Sequence, residues 1–244
     1  MAAYTTINKP SLHFNTKLYT GTGSSVSFTG VGFQPDMTWI KCKNQAENHG
    51  LYDSVRGVTK NIAPNLTATE STLSGVTAFG ADGFTVGASG ITGYNTQTYV
   101  GWNWKAGTTT GITGSPSITP ASYSFNATSG CSVIKYTGNT TGGATIPHGL
   151  GVAPEVVMVK NLDNTRDWAI YHKYTTQDGT GAQYYLHLNN IDPRSSSSTF
   201  WQDAAPNSTV FSIGTSTGVN TSSEKYVAYC FAPVQGFSKF GYYN

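Results

Sequence analysis

Charge is what this sequence has least of. Fourteen Lys and Arg against twelve Asp and Glu make up 11% of its 244 residues, where soluble domains carry roughly a quarter. A net charge of +2, with no run of Lys or Arg, offers phosphates no surface and argues against a nucleic-acid partner. No apolar run reaches the roughly 18 residues of a membrane-crossing helix, so membrane insertion is not expected. The opening "MAAYTTINKPSLHF" lacks the basic end and apolar core of a signal peptide, and the expectation is synthesis in the cytoplasm without one. Cysteine is scarce too: Cys42, Cys131 and Cys230 are far apart and odd in number. That excludes a disulfide framework and predicts buried, reduced thiols.

Catalytic signatures are equally thin. There is no nucleophile elbow and no phosphate-binding loop, and "GTGSS" and "GNTTGG" read as turns. No Cys-x-x-Cys and no metal-like spacing links His13, His49, His148, His172 and His187. His172 and His187 meet only if strands bring them together, and His148 in "IPHGLG" reads as a turn cap. Among the acids, Asp53 lies beside Arg56 in "LYDSVRG", and Asp163 and Asp167 flank Arg166 in "NLDNTRDW"; both read as local ion pairs. Asp36 and Glu155 follow equivalent prolines and read as turn residues at strand starts. The expectation is no enzyme, no cofactor and no metal, with a glycosidase open only if carboxylates distant in sequence converge. The five Asn-x-Ser/Thr triplets (Asn65, Asn126, Asn139, Asn207, Asn220) are what an Asn- and Thr-rich chain produces by chance.

What is abundant is Thr, Ser, Asn and Gly, with Tyr and Phe between them. Such residues suit pleated surfaces and tight turns. They are also arranged twice. "LYTG", "GFQPDMTWIK", "LYD", "DGFTVG" and "TYVGWNW" in the first half answer to "KYTG", "GVAPEVVMVK", "IYH", "TVFSIG" and "KYVAYCF" in the second. Pro35 to Tyr52 and Pro154 to Tyr171 both span 17 residues, Phe84 to Tyr99 and Phe211 to Tyr226 both 15, and Tyr99 to Trp104 and Tyr226 to Phe231 both five. The interval from Pro154 to Phe211 is eight residues longer than its counterpart, as a loop insertion requires.

The fold class expected is all-β, two tandem homologous β-sandwich modules of jelly-roll-like form. Residues 1–15 form an N-terminal arm, 16–107 the first module, 108–130 a Thr/Gly/Ser/Pro-rich linker or arm with edge strands, and 131–244 the second module. The landmark aromatics Tyr19, Trp39, Tyr99, Trp104 and their counterparts are expected in the cores. Only Lys60 to Leu73 and Trp168 to Thr176 have room for a helical turn. "GFSKFGYYN" repeats the strand that opens the second module, Gly236 answering Gly130, Ser238 answering Ser132 and Tyr242 answering Tyr136. It is expected to close the second module or to add to a neighbouring subunit's sheet.

The stretches "INKPSLHFNTKLYTGTG", "GVGFQPDMTWIK", "LYDSVRGVTK" and "TYVGWNWKAG", then "ATIPHGLGVAPEVVMVKNLDNTRDWAIYHK" and "KYVAYCFAPVQGFSKFG", resemble a repeat family of tail-fibre-like and virion structural proteins of marine bacteriophages, cyanophages included. The resemblance runs from about Ile7 onward and implies a virion protein released by lysis, without catalytic residues. Other virion proteins would be its partners, in a homo-oligomer for which a trimer is the guess, although no heptads support it. Host attachment through a surface glycan or protein is the first reading, and capsid decoration or tail assembly the second. For attachment the candidate contacts are Trp168, Tyr184, Tyr185 and Trp201, since rings stack on sugars while amides bond their hydroxyls. Tyr171 answers Tyr52 and is expected in the core.

Overall fold

The computed structural model describes residues 5–242, and they form antiparallel sheets almost throughout. The chain divides into two compact units, an N-terminal one of Lys9–Gly107 and a C-terminal one of residues 108–242 with residues 5–8.

In the N-terminal unit the strands are β1 (Phe14–Thr20), β2 (Val26–Thr29), β3 (Met37–Cys42), β4 (Gly50–Asp53), β5 (Lys60–Asn61), β6 (Ser71–Thr72), β7 (Val76–Gly80), β8 (Gly83–Val86) and β9 (Thr98–Trp104). They make a sheet β1-β9-β3-β4, a sheet β2-β8-β7 and a β5-β6 ribbon. Side chains alternate across a strand, so β1, β9, β3 and β4 send Tyr19, Tyr99, Ile40 and Tyr52 to one face. There they share a core with Phe84, Val86 and Val76 of the second sheet. The two-residue turn between β7 and β8 fixes that second sheet. Gly83 there has φ 153°, and a Cβ on it would lie 1.9 Å from the Phe28 carbonyl oxygen, so only glycine fits. The turn's Asp82 accepts the amide N–H groups of Gly30 (2.9 Å) and Gly32 (2.6 Å), and those bonds hold its carboxyl below the usual range.

The C-terminal unit carries β10 (Ser122–Asn126), β11 (Cys131–Thr137), β12 (Ala144–Pro147), β13 (Val156–Asn161), β14 (Ala169–His172), β15 (Tyr184–His187), β16 (Ser195–Ser196), a short helix α1 (Ser198–Trp201), β17 (Val210–Ile213) and β18 (Lys225–Phe231). The long sheet runs β10-β11-β18-β13-β14-β15-β16, and β12 pairs with β17. Its core gathers Ile134, Tyr136, Val157, Val159, Tyr171, Trp201, Phe211 and Tyr226. The Thr/Gly/Ser/Pro-rich stretch 108–130 is partly folded: β10 is an edge strand on β11, and Thr108 exchanges backbone bonds with Phe125.

The two units share several features. The order β1-β9-β3-β4 recurs as β11-β18-β13-β14. Tyr19 faces Tyr99 in register with rings stacked at 5.2 Å and 16°, and Tyr136 faces Tyr226 at 5.2 Å and 15°. The first tyrosine of each pair donates its hydroxyl to a loop carbonyl at 2.7 Å, Thr92 in one unit and Val219 in the other. The second receives a loop N–H, from Tyr94 at 3.0 Å or Thr221 at 2.8 Å, and donates to Gly90 (2.8 Å) or Thr217 (2.9 Å). Before it the chain turns through a left-handed residue, Thr96 at φ 64° or Ser223 at φ 66°. At the other end of the strand, Asp36 N–H donates to Trp104 O and Glu155 N–H to Phe231 O, both at 2.9 Å. Buried tyrosines thus tie each loop to its core, which satisfies polar groups that burial would otherwise penalise.

Several sequence expectations change. Trp39 and Trp104 lie on the outer face of their sheet, outside the core. Trp104 is an odd number of positions from Tyr99 in one strand, so alternation sends the two to opposite sides. Lys60 to Leu73 holds the β5-β6 ribbon and no helical turn, in keeping with its β-branched Ile62, Thr67, Thr69 and Thr72. Within Trp168–Thr176 a 3-10 turn does form, at Lys173–Thr175. The closing strand is absent over Gly236–Tyr242. Gly236 at φ 77° turns the chain back, and Val234 and Ser238 bond each other across the bend. Tyr243 and Asn244 lie outside the described residues.

Candidate functional site

The four aromatic candidates separate by burial. Trp168 and Trp201 are 0% and 2% exposed, which corrects their assignment as ligand contacts, because a sealed ring meets no ligand. Trp168 leads into β14 and stacks on Tyr229 at 6.2 Å, and its backbone N–H donates to Asn189 Oδ1. Trp201 ends α1 and meets Tyr171 edge-on at 6.0 Å inside the core. Tyr171, answering Tyr52, is core as expected.

Tyr184 and Tyr185 are half-buried on β15. Tyr185 stacks on Phe200 at 3.8 Å and 16°. Tyr184 carries the Arg194 guanidinium over its ring at 4.9 Å, and Arg194 also donates to the Thr175 carbonyl. The loop beyond β15 ties His187 to Asn190 (3.0 Å) and leaves Ile191 fully exposed.

The polar groups mostly hold the fold. Arg56, its side chain 0% exposed, pairs with Asp53 at 2.6 Å and Glu70 at 3.2 Å and donates to the Leu51 and Lys60 carbonyls, as the local ion pair expected. Arg166 is not the partner of Asp163: Asp163 meets Lys225 (2.8 Å to its N–H, 3.9 Å to Nζ), and Asp167 accepts from Asn189 at 2.7 Å. Asp36 accepts from Ser54 (2.8 Å) and the Ala106 N–H (2.9 Å), and Glu155 pairs with Lys173 at 2.9 Å. Glu224 is held by Asn161 and Asn164. Lys160 is buried and donates to the Arg166 carbonyl at 2.9 Å; burial lowers it to about 8, with Asp167 opposing. His148 caps its turn by accepting the Leu150 N–H at 3.1 Å. His172 stands opposite Val156 and His187 opposite Ala169 in the sheet, so register does not pair them. Among the described residues no group of His, Cys, Asp and Glu is placed to hold a metal. All three cysteines are buried thiols, none of them in a disulfide. Among the same residues no helix is long and apolar enough to cross a membrane.

One aromatic cluster was missed from sequence. The outer face of β1-β9-β3-β4 carries Phe14, Trp39, Trp102 and Trp104, all half-buried, three of the chain's five tryptophans. Register places Thr16, Trp102 and Trp39 in one row and Phe14, Trp104 and Met37 in the next. The Trp39 and Trp102 rings are 6.4 Å apart and meet at 84°, while Phe14 and Trp104 are 4.9 Å apart. Trp39 donates its indole N–H to His49 Nδ1 at 2.8 Å, which fixes ring and tautomer together. Burial, aided by Lys41, lowers the His49 pKa and favours that neutral acceptor form. Beside it, His49 N–H bonds Asn65, which bonds Asn48 at 2.9 Å. Rings fixed at right angles with amides alongside suit a ligand that has both apolar faces and hydroxyls. The signal was the i, i+2 spacing of Trp102 and Trp104 in one strand.

Comparison with known proteins gives a family without a function. The model of a domain of unknown function, DUF7483, matches residues 9–244, across both units, and the chain belongs to that family. No curated protein and no solved structure matches it.

Proposed function

We propose that this protein is a structural component of a bacteriophage particle, tail-fibre-like, that contributes to host attachment. The reading joins the sequence resemblance to one structural observation, the duplicated tyrosine-anchored skeleton. We read that skeleton as two tandem homologous β-sandwich modules of jelly-roll-like form, a repeated scaffold whose outer faces diverge while its cores do not. Tyr136 with Tyr226 and Tyr19 with Tyr99 keep the same geometry, whereas the outer position held by Trp39 in one unit is Met158 in the other. Scaffold conservation with face divergence is how recognition is added to a structural protein. The subunit would assemble as a homo-oligomer, a trimer in our reading, among other virion proteins.

A purely structural role in capsid decoration or tail assembly is the second reading. It is favoured by the exposed Leu188 and Ile191 beyond β15, a point for contact with a neighbouring subunit. Adsorption competition separates the two. Purified protein added to host cells ahead of phage should lower the adsorption rate if it attaches, and unchanged adsorption would leave only the structural role.

A further inference from the structure

We propose that the outer face of β1-β9-β3-β4 is a binding site for a soluble glycan chain, with Trp102 and Trp39 forming its sugar-holding corner. This deepens the attachment reading and rests on it for the biological source of the glycan.

Four observations select this ligand class. Trp102 is half-buried on a sheet face with its ring against the Trp39 ring, and its indole N–H has no hydrogen-bond acceptor among the described residues. The Trp39 ring is already held by His49, so little side-chain freedom remains to be lost on binding. The face sets these rings beside exposed Thr16 and the exposed Asn48–Asn65 pair, which supply hydroxyl and amide partners. Finally, charge is scarce beside the rings, and Lys41, the lysine next to them, is held by the Glu47 carbonyl at 2.6 Å.

The 84° angle between the rings narrows the class. Coplanar rings make a flat platform for the surface of a crystalline polymer, but perpendicular ones enclose a single sugar ring from two sides. The site therefore takes an individual hydrated chain, such as a bacterial surface polysaccharide, in preference to crystalline cellulose or chitin.

The test uses the full chain on an array of bacterial surface polysaccharides and lipopolysaccharide glycans, with crystalline chitin pull-down alongside. Trp102→Ala is compared with Trp102→Phe, which keeps a ring, and with Tyr184→Ala in the other unit, melting curves verifying the fold of each. Binding by the wild type that falls about tenfold or more in Trp102→Ala (1.4 kcal/mol), less in Trp102→Phe and not in Tyr184→Ala is the expected result. Loss in Tyr184→Ala with Trp102→Ala unaffected would move glycan binding to the other unit and overturn this site. Chitin retention at or above that of soluble glycans would overturn the corner geometry. No glycan binding at all would overturn the inference. Labelled protein adsorbing to a panel of marine bacteria, cyanobacteria included, would in that case leave attachment standing through a protein receptor, and no adsorption would remove both.

Discussion

Removing one oxygen atom from Tyr136, and one from Tyr19, probes whether the two units rest on the same anchor. Each hydroxyl is buried and donates at 2.7 Å to a loop carbonyl, of Val219 and Thr92 respectively. Replacing either by Phe leaves the ring stack but strands a carbonyl in a place water does not reach. A buried acceptor without its donor costs about 1–3 kcal/mol, and the two sites should cost the same within about 0.5 kcal/mol. The same loss shifts Tm by different amounts, because the shift scales inversely with size. It amounts to about 4–8 °C per kcal/mol for the 99 residues of Lys9–Gly107 and closer to 2–4 °C for the larger unit. Calorimetry reads the shift in Tm, and hydrogen exchange at the amides of Tyr94 and Thr221 reports each loop directly. Each variant should raise exchange only in its own unit. A cost below about 0.3 kcal/mol in both, or a large cost in one unit and none in the other, would refute the shared anchor.

Three further outcomes follow from the same geometry. Arg56→Met leaves buried Asp53 without its guanidinium and should cost about 3–5 kcal/mol in urea unfolding, most of it recovered in Asp53→Leu/Arg56→Met. Gly83→Ala drives a Cβ against the Phe28 carbonyl at 1.9 Å and should destabilise the N-terminal unit by about 2 kcal/mol or more, read as an earlier first transition. Acid should weaken the C-terminal unit through His148. Burial holds its pKa below the ordinary 6.5, with the Asn207 bond only partly opposing. Its contribution is therefore intact above pH 6.5 and falls as the pH drops towards the folded-state value, with a slope of up to about 1.4 kcal/mol per pH unit. His148→Gln should flatten that part of the stability profile.

The duplicated landmarks were legible because equal spacing survives wherever strand and turn lengths are fixed by one skeleton. Tyr52 and Tyr171 were rightly read as core from that spacing alone. The same landmarks misled at Trp39 and Trp104, since a repeated position says that two residues are equivalent and nothing about which face they take; only the odd step from Tyr99 carries that. Trp168 and Trp201 looked like loop aromatics because polar residues surround them in sequence, yet β18 brings Tyr229 to Trp168 and α1 sets Trp201 against Tyr171, partners from far along the chain. The tail copied the composition of an opening strand without a strand to pair with in the chain, and Gly236 was free to turn it back. The tryptophan corner depends on contacts between β3 and β9, some 60 residues apart, which no local pattern displays.

The most direct measurement is where this protein sits on purified particles, by immunogold labelling or a reconstruction of the virion. Attachment predicts density at the distal end of the tail with the Trp102 face turned outward. Density confined to the capsid lattice, or no label on the particle at all, would contradict it.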